Sequence, residues 1–351
     1  MRTGDYSGLG TQSTQRTGEG NVASASLGDE ALEQAITEGM RKSEELLNTE
    51  LARGEKFLVE RVNHLSKAGG KRFRPMFAFL ASQFGENPGS DDVVYAATVV
   101  EMTHLATLYH DDVMDEAEMR RGVPSANARW DNSLAILSGD YLFAAASRLL
   151  AYLGSHTVEH FAETFGELVT GQMRESIGCD DPNLDAQIEH YLQVIREKTG
   201  VLIASAGYLG SLHSGASVEV AQALKTYGGL VGVIFQIVDD IIDISSNTDQ
   251  SGKTPGTDLR EGVFTLPVLY ALQEDSAAGA RLREILTGPV TDDALVEEAL
   301  ELLAQTDGSA RALDMVRSLL DESEQAISAL PDIPAKKALS ELARYTVDRV
   351  G

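Results

Sequence analysis

The sequence predicts an all-α protein, a helical bundle around a deep central cavity. Apolar residues recur at helical spacing from Asp29 almost to the C-terminus, and strand-like alternation is essentially missing. Two long apolar runs each end in a tight cluster of aspartates, which places acid at the rim of a greasy interior. No internal repeat and no linker rich in Pro, Gly or charge divides the chain, so residues 29–351 read as a single domain.

Taken in order, residues 1–28 are rich in Gly, Ser, Thr and Gln with no apolar core, and read as a flexible N-terminal tail. Leu32, Ile36 and Met40, then Leu46, Leu47 and Leu51, then Phe57, Leu58 and Val62 mark the first helical faces. Breaks fall at GGKRFRP (69–75), ENPGS (86–90), GVPSANA (122–128), GSH (154–156), CDDPNL (179–184), 245–262 and TGPVTDD (287–293). The intervening segments suit about ten or more helices. Those around 93–110, 133–150 and 229–242 are apolar nearly all round and belong at the centre. Those near 29–66 and 293–350 are amphipathic and belong outside.

Composition bounds the function. The 351 residues carry 43% hydrophobic and 24% charged side chains, a globular balance. A net charge of -25 leaves no basic footprint for nucleic acid. It leaves a phosphorylated substrate open, because bound cations reverse the local sign. The single cysteine, Cys179, permits no intrachain disulfide and no thiolate zinc site, and fits a reducing, cytoplasmic setting. No signal-peptide apolar core is present in the first residues. The run SLAILSGDYLFAAASRLLAYLG is interrupted by Asp140 and Arg148, so it reads as a core helix and no transmembrane segment is expected.

The two acid clusters carry the chemistry. Asp111 and Asp115 stand one helical turn apart, with Asp112 and Asp115 also neighbours; Asp239, Asp240 and Asp243 repeat the spacing. Carboxylates this close at the end of a buried helix need a counter-charge. Without His or Cys partners, the fitting cation is magnesium, which prefers oxygen and keeps waters and phosphate oxygens. One such cluster could be a solvated helix end, but two in one chain make that reading weak.

Basic residues stand nearby. Lys71 and Arg74 in GGKRFRP pair a point charge with a bidentate fork, as a diphosphate requires, though a basic helix start reads the same way. Arg120 and Arg121 follow the first cluster, either as diphosphate ligands or as charges meeting a helix C-terminus. Lys198, Thr199 and Lys253 are further candidates in loop-adjacent positions. His104, two turns before Asp111, reads by itself as a satisfied core histidine. GxSxG, GxxxxGK[ST] and GxGxxG motifs are missing, which disfavours acyl transfer, nucleotide use and hydride transfer.

GGKRFRP, HDDVMDEAEMRRG, REKTG, FQIVDDIID and GKTPGTDLREG, in this order, resemble the all-trans polyprenyl diphosphate synthases, the polyprenyl synthetase family. The resemblance runs from about residue 30 to the C-terminus. It implies the isoprenoid synthase fold, a homodimer, and the joining of isopentenyl diphosphate to an allylic diphosphate. It further implies three Mg²⁺ ions on Asp111, Asp112, Asp115, Asp239, Asp240 and Asp243. Arg120, Lys198, Thr199, Gln236 and Lys253 would hold the allylic diphosphate. Gly70, Lys71, Arg74, His104 and Arg121 would hold isopentenyl diphosphate, which turns His104 into a ligand. Rival readings on the same fold are a terpene cyclase or head-to-head coupling enzyme, or a subunit of a heteromeric synthase.

The resemblance also sets an expectation for product length. In short-chain members, bulky aromatics four or five residues before the first Asp close the cavity. Here those places hold Thr107 and Ala106, with Thr103 and Met102 further down. A helical turn rises about 5.4 Å, close to one isoprene unit. The expected product is therefore C20 or longer. One departure stands out: Val263 occupies a place where many members carry lysine, and Arg260 is the nearby cation.

Overall fold

Asp29 begins the first helix by accepting a hydrogen bond from the Leu32 amide at 2.8 Å. The computed structural model describes residues 27–245 and 255–350, so nearly all of the expected tail, and Lys253, lie outside the described residues. α1 (Glu30–Leu51), α2 (Lys56–Val62), α3 (His64–Lys67) and α4 (Phe73–Ser82) lead into the long α5 (Asp91–Met114). After a small hairpin and α6 (Ala126–Arg129) come α7 (Asn132–Leu153), α8 (Ser155–Ile177) and α9 (Leu184–Ile195). A π-helical turn (Arg196–Gly200) joins α9 to α10 (Val201–His213), and α11 (Val218–Ser245) follows. The remaining helices are α12 (Thr257–Glu261), α13 (Leu266–Gln273), α14 (Ala277–Ile285), α15 (Asp293–Leu303), α16 (Gly308–Ile327) and α17 (Pro334–Val347).

The expected all-α class holds: strand structure among the described residues is confined to one two-stranded hairpin. α5 packs along α7, and α10 packs on both α11 and α4. Residues Val201 to Ser211 of α10 are buried on every face, a degree of centrality its sequence shares with α5 and α11. The run 133–150, expected at the centre, buries only part of its surface as α7: Leu142, Ala145 and Leu149 face inward, while Leu137 is 58% and Tyr152 73% exposed. By length and apolar content α7 is the one described helix that could cross a membrane. Its charged interruptions are nonetheless paired, Arg148 with Glu50 at 2.7 Å and Asp140 with His110 at 3.4 Å, and its inner face packs on α5 as a core helix does.

Two other elements differ from expectation. Arg120–Arg121 do not extend a helix. Met119–Arg120 and Val123–Pro124 pair as antiparallel strands β1 and β2, and Arg121 and Gly122 form the two-residue turn at φ 53° and 75°. Lys198 and Thr199 sit not beside a loop but inside the π-helical turn. Such turns aim side chains that a regular helix would spread around its axis.

Candidate active site

The first acid cluster lies where α5 ends. Asp115 caps the helix, its amide donating to the Asp111 carbonyl at 2.8 Å. Asp111 points into the site, and burial, with help from the Asp115 charge, raises its carboxyl to about 6 despite the opposing Lys198. Asp112 turns inward and is fully buried; its Oδ1 accepts from Arg120 Nε at 2.6 Å while Oδ2 has no hydrogen-bond partner. The hairpin therefore brings Arg120 back over the cluster.

The second cluster lies near the end of α11. Asp240 accepts from the Tyr191 hydroxyl on α9 and from Gln236 Nε2 at 2.9 Å, and Gln236 Oε1 accepts from Thr199 at 3.3 Å. Burial raises Asp240 to about 6, with Asp239 and Asp243 adding repulsion and the Tyr191 and Gln236 bonds opposing it. Asp239 is paired with Arg349 at 2.9 Å. Asp243 accepts from the Asp258 amide at 3.4 Å. Glu261, at the end of α12, lies near both clusters: its carboxyl is raised first by burial and then by the charges of Asp115 and Asp243.

Lys198 acts on Asp111 from the π-helical turn and is held by Glu175 of α8, which also accepts from Gln172 at 3.2 Å. Gly171 makes that approach possible. A Cβ there would stand 2.6 Å from the Glu197 Cβ and 2.7 Å from the Lys198 amide. Gly171→Ala is expected to push α8 off the turn and cost at least 1 kcal/mol by a general overpacking scale of about 1–3 kcal/mol, read as a lowered Tm.

The basic half of the site is equally assembled. Arg121 donates to the carbonyls of Leu65, at 3.1 Å, and Gly69, and its guanidinium lies against Gly70, where a Cβ would meet it at 2.9 Å. Arg72 is committed to Glu101 at 3.0 Å and Glu44 at 3.1 Å. Arg74 instead has a sequestered Nε without a partner, and burial lowers its guanidinium to about 10. An unpaired guanidinium nitrogen in a dry site is a place for an anion. Burial, then the charges of Arg74 and Arg121, holds His104 well below its usual range, so its imidazole is neutral. Lys71 is exposed beside the Phe235 ring, 6.0 Å from its centre. Arg349 stands over the same ring at 5.7 Å.

Below Asp111 opens a cavity of about 320 Å³ between α5, α7 and α8. Thr107, Phe143, Phe165, Leu168 and Met173 are among its walls, and Asp111 is its one carboxylate. Of the four residues expected to form its floor, only Thr107 lines it. Met102, Thr103 and Ala106 are fully buried and do not line it; Thr103 lies one turn below Thr107 and Ala106 one turn below His110.

Sequence reasoning missed Glu175, Tyr191, Glu101 and Arg349. The Arg349–Asp239 pair spans 110 residues and has no local signature. Arg260 does not make up for Val263: it pairs with Asp293 at 2.6 Å on the outer side of α12.

The donor set suits a hard cation, being carboxylate oxygens with a buried lone Oδ2 on Asp112. Among the described residues no group of three or more His, Cys, Asp or Glu side chains is placed to hold a metal ion by itself.

Comparison with known proteins agrees with this geometry. The polyprenyl synthetase family model matches residues 55–303. Nonaprenyl diphosphate synthase of Mycobacterium tuberculosis is 53% identical over 330 residues, covering 94% of this chain and 98% of that protein. The crystal structure of geranylgeranyl pyrophosphate synthase from Corynebacterium glutamicum, complexed with calcium and isoprenyl diphosphate, superposes with a TM-score of 0.85 at 62% identity, covering 92% of this chain and 99% of that one. A decaprenyl diphosphate synthase from Rhodobacter capsulatus gives 0.82 at 34% identity, covering 92% and 99%. With the motifs, the helical fold and these likenesses in agreement, the chain belongs to the polyprenyl synthetase family and is a prenyl-transferring enzyme.

Proposed function

We propose that the enzyme joins isopentenyl diphosphate head to tail to an allylic diphosphate, with Mg²⁺, and releases an all-trans product of C20 or longer. The observation that carries this reading is an apolar cavity with Asp111 at its rim, Glu261 close enough to Asp115 and Asp243 to feel both acid clusters, and an unpartnered Arg74 Nε among the basic residues. The presence of isoprenyl diphosphate and calcium in the Corynebacterium glutamicum structure supports the ligand class.

In this reading Asp111, Asp112, Asp115, Asp239, Asp240 and Asp243 hold the metal ions. Bound Mg²⁺ supplies positive charge against the leaving diphosphate. Lys198, Thr199, Gln236, Arg120 and Lys253 orient the allylic diphosphate. As its C1–O bond breaks, the cationic side chains meet the negative charge growing on the departing oxygen. The apolar walls below Asp111 keep water from the allylic cation. Lys71, Arg74, Arg121 and the neutral His104, with Gly70 leaving room for the backbone, fix isopentenyl diphosphate so that its double bond faces C1. The new C–C bond forms there, and the proton lost from the condensation intermediate goes to the released diphosphate.

Thr107→Phe is expected to fill the cavity one turn below Asp111 and to shorten the product by at least one isoprene unit. Ala106→Phe is expected to lower Tm as well, by overpacking, because Ala106 is fully buried and does not line the cavity. Chromatographic sizing of dephosphorylated products and thermal melts separate the two.

The proposed assembly is a homodimer built on the outer faces of α7 and α8, where Leu137, Tyr152, Val158 and Ile177 are exposed. Apolar faces of this extent mark association surfaces.

The activity test is direct. Radiolabelled isopentenyl diphosphate should enter an extractable lipid only with an allylic diphosphate and Mg²⁺ both present, and chelation should stop it. Consumption of farnesyl diphosphate with no isopentenyl diphosphate present would instead establish a cyclase or coupling enzyme.

A further inference from the structure

We infer that Arg72 is a positioning residue for isopentenyl diphosphate: it occupies the buried Glu101 carboxylate and so leaves Arg74 free for the substrate's diphosphate, an inference that rests on the function proposed above. Arg72 shares the loop of Lys71 and Arg74 and is the residue just before α4. Its backbone is left-handed, at φ 47° and ψ 33°. A residue with a long side chain seldom adopts that conformation, which persists only where the surroundings over-determine it. Here the side chain supplies the constraint. Nη1 donates to Glu101 of α5 at 3.0 Å, Nε to Glu44 of α1 at 3.1 Å, and Nη2 to the Ser66 carbonyl of α3 at 3.2 Å. One guanidinium thereby ties three helices to the start of a fourth. Glu44 stands upstream of residues 55–303, the span that the family model matches, so the N-terminal helix contributes to this clamp.

Glu101 is the centre of the arrangement. It is buried on α5, one helical turn before His104. Burial raises its carboxyl while the charges of Arg72, Arg74 and Arg121 pull it down, so all three guanidiniums are close enough to act on it. Their commitments differ. Arg121 donates to the Leu65 and Gly69 carbonyls, Arg72 donates to Glu101 itself, and Arg74 keeps an Nε with no partner. A buried carboxylate that loses its bonded cation is costly and recruits the nearest available donor. With Arg72 removed that donor is Arg74, whose fork then closes on Glu101 instead of the diphosphate. Arg72, without touching the substrate, therefore decides whether Arg74 can bind it.

The test compares Arg72→Ala with the double variant Arg72→Ala/Glu101→Gln, by initial rates with isopentenyl diphosphate and geranyl diphosphate each varied in turn in the presence of Mg²⁺. Arg72→Ala is expected to raise the KM for isopentenyl diphosphate about tenfold, the loss of one charge-assisted hydrogen bond, with kcat and the allylic KM within about twofold of wild type. In the double variant that KM is expected to fall back to within about threefold of wild type, because a neutral amide does not hold Arg74 as a carboxylate does. A merely structural role predicts the reverse, since a second buried partner has been removed. Arg72→Asn, alone and with Glu101→Gln, repeats the comparison if the alanine variant does not fold, asparagine being at ease in a left-handed conformation. A KM for isopentenyl diphosphate that stays unchanged in the single variant, or that does not recover in the double, would overturn the inference while leaving the proposed function intact. Wild-type enzyme that makes no prenyl product at all would remove the proposed function and this inference with it.

Discussion

Asp111→Ala is expected to lower kcat by about 10³-fold while leaving the helical content unchanged. The size follows from removing several kcal/mol of charge stabilisation at the leaving group, at about 1.4 kcal/mol per tenfold in rate. Asp111 stands at the junction of the acidic mouth and the apolar cavity, so no neighbour replaces it. Stability should move the other way. A carboxyl raised to about 6 by burial is held in a place that disfavours its charge. In metal-free buffer the ionised group costs the fold free energy: its contribution is best below the ordinary pKa of 3.8 and is lost as pH rises to about 6. The alanine variant escapes that loss. Its Tm relative to wild type should therefore climb between about pH 4 and pH 6 and stay up at pH 7. A variant that loses activity together with Tm at every pH would mean that Asp111 supports the fold rather than the reaction.

Arg74→Ala is expected to raise the KM for isopentenyl diphosphate by about 10²-fold, with a much smaller effect on the KM for the allylic substrate. Each charge-assisted hydrogen bond is worth roughly 1.5–3 kcal/mol, so one or two of them account for that factor. The fold should tolerate the change, because Glu101 keeps its 3.0 Å pair with Arg72. Arg74→Lys should recover only part of the loss, since an ammonium keeps the charge but not the fork. Initial-rate kinetics with each substrate varied in turn checks this. Equal rises in both constants would place Arg74 outside the isopentenyl site.

The sequence made some of this plain and hid the rest for physical reasons. Aspartates one turn apart at the end of an apolar helix are legible because helical geometry fixes their relation. The position of Arg121 was not, because a non-glycine residue at φ 53° is uncommon and only the hairpin imposes it. Of the four residues expected at the cavity floor, the sequence did not single out Thr107 as the one that lines it. Ala106 and Thr107 are about 100° apart around α5, and a helix apolar on all sides gives no hint of which face meets the cavity. Phe143 and Phe165 look like any core aromatics until α7 and α8 are folded side by side. Tyr191 reaches Asp240 across 49 residues, a contact only tertiary structure can make.

The central claim, that the two acidic helix ends share metal ions around one diphosphate, is tested most directly by anomalous diffraction. Crystals grown with Mn²⁺ and a non-ionising thio-analogue of an allylic diphosphate should place metal peaks on Asp111 and Asp115 from one side and on the second cluster from the other, with the diphosphate between them. Peaks missing from either cluster, or a diphosphate bound away from both, would contradict the account.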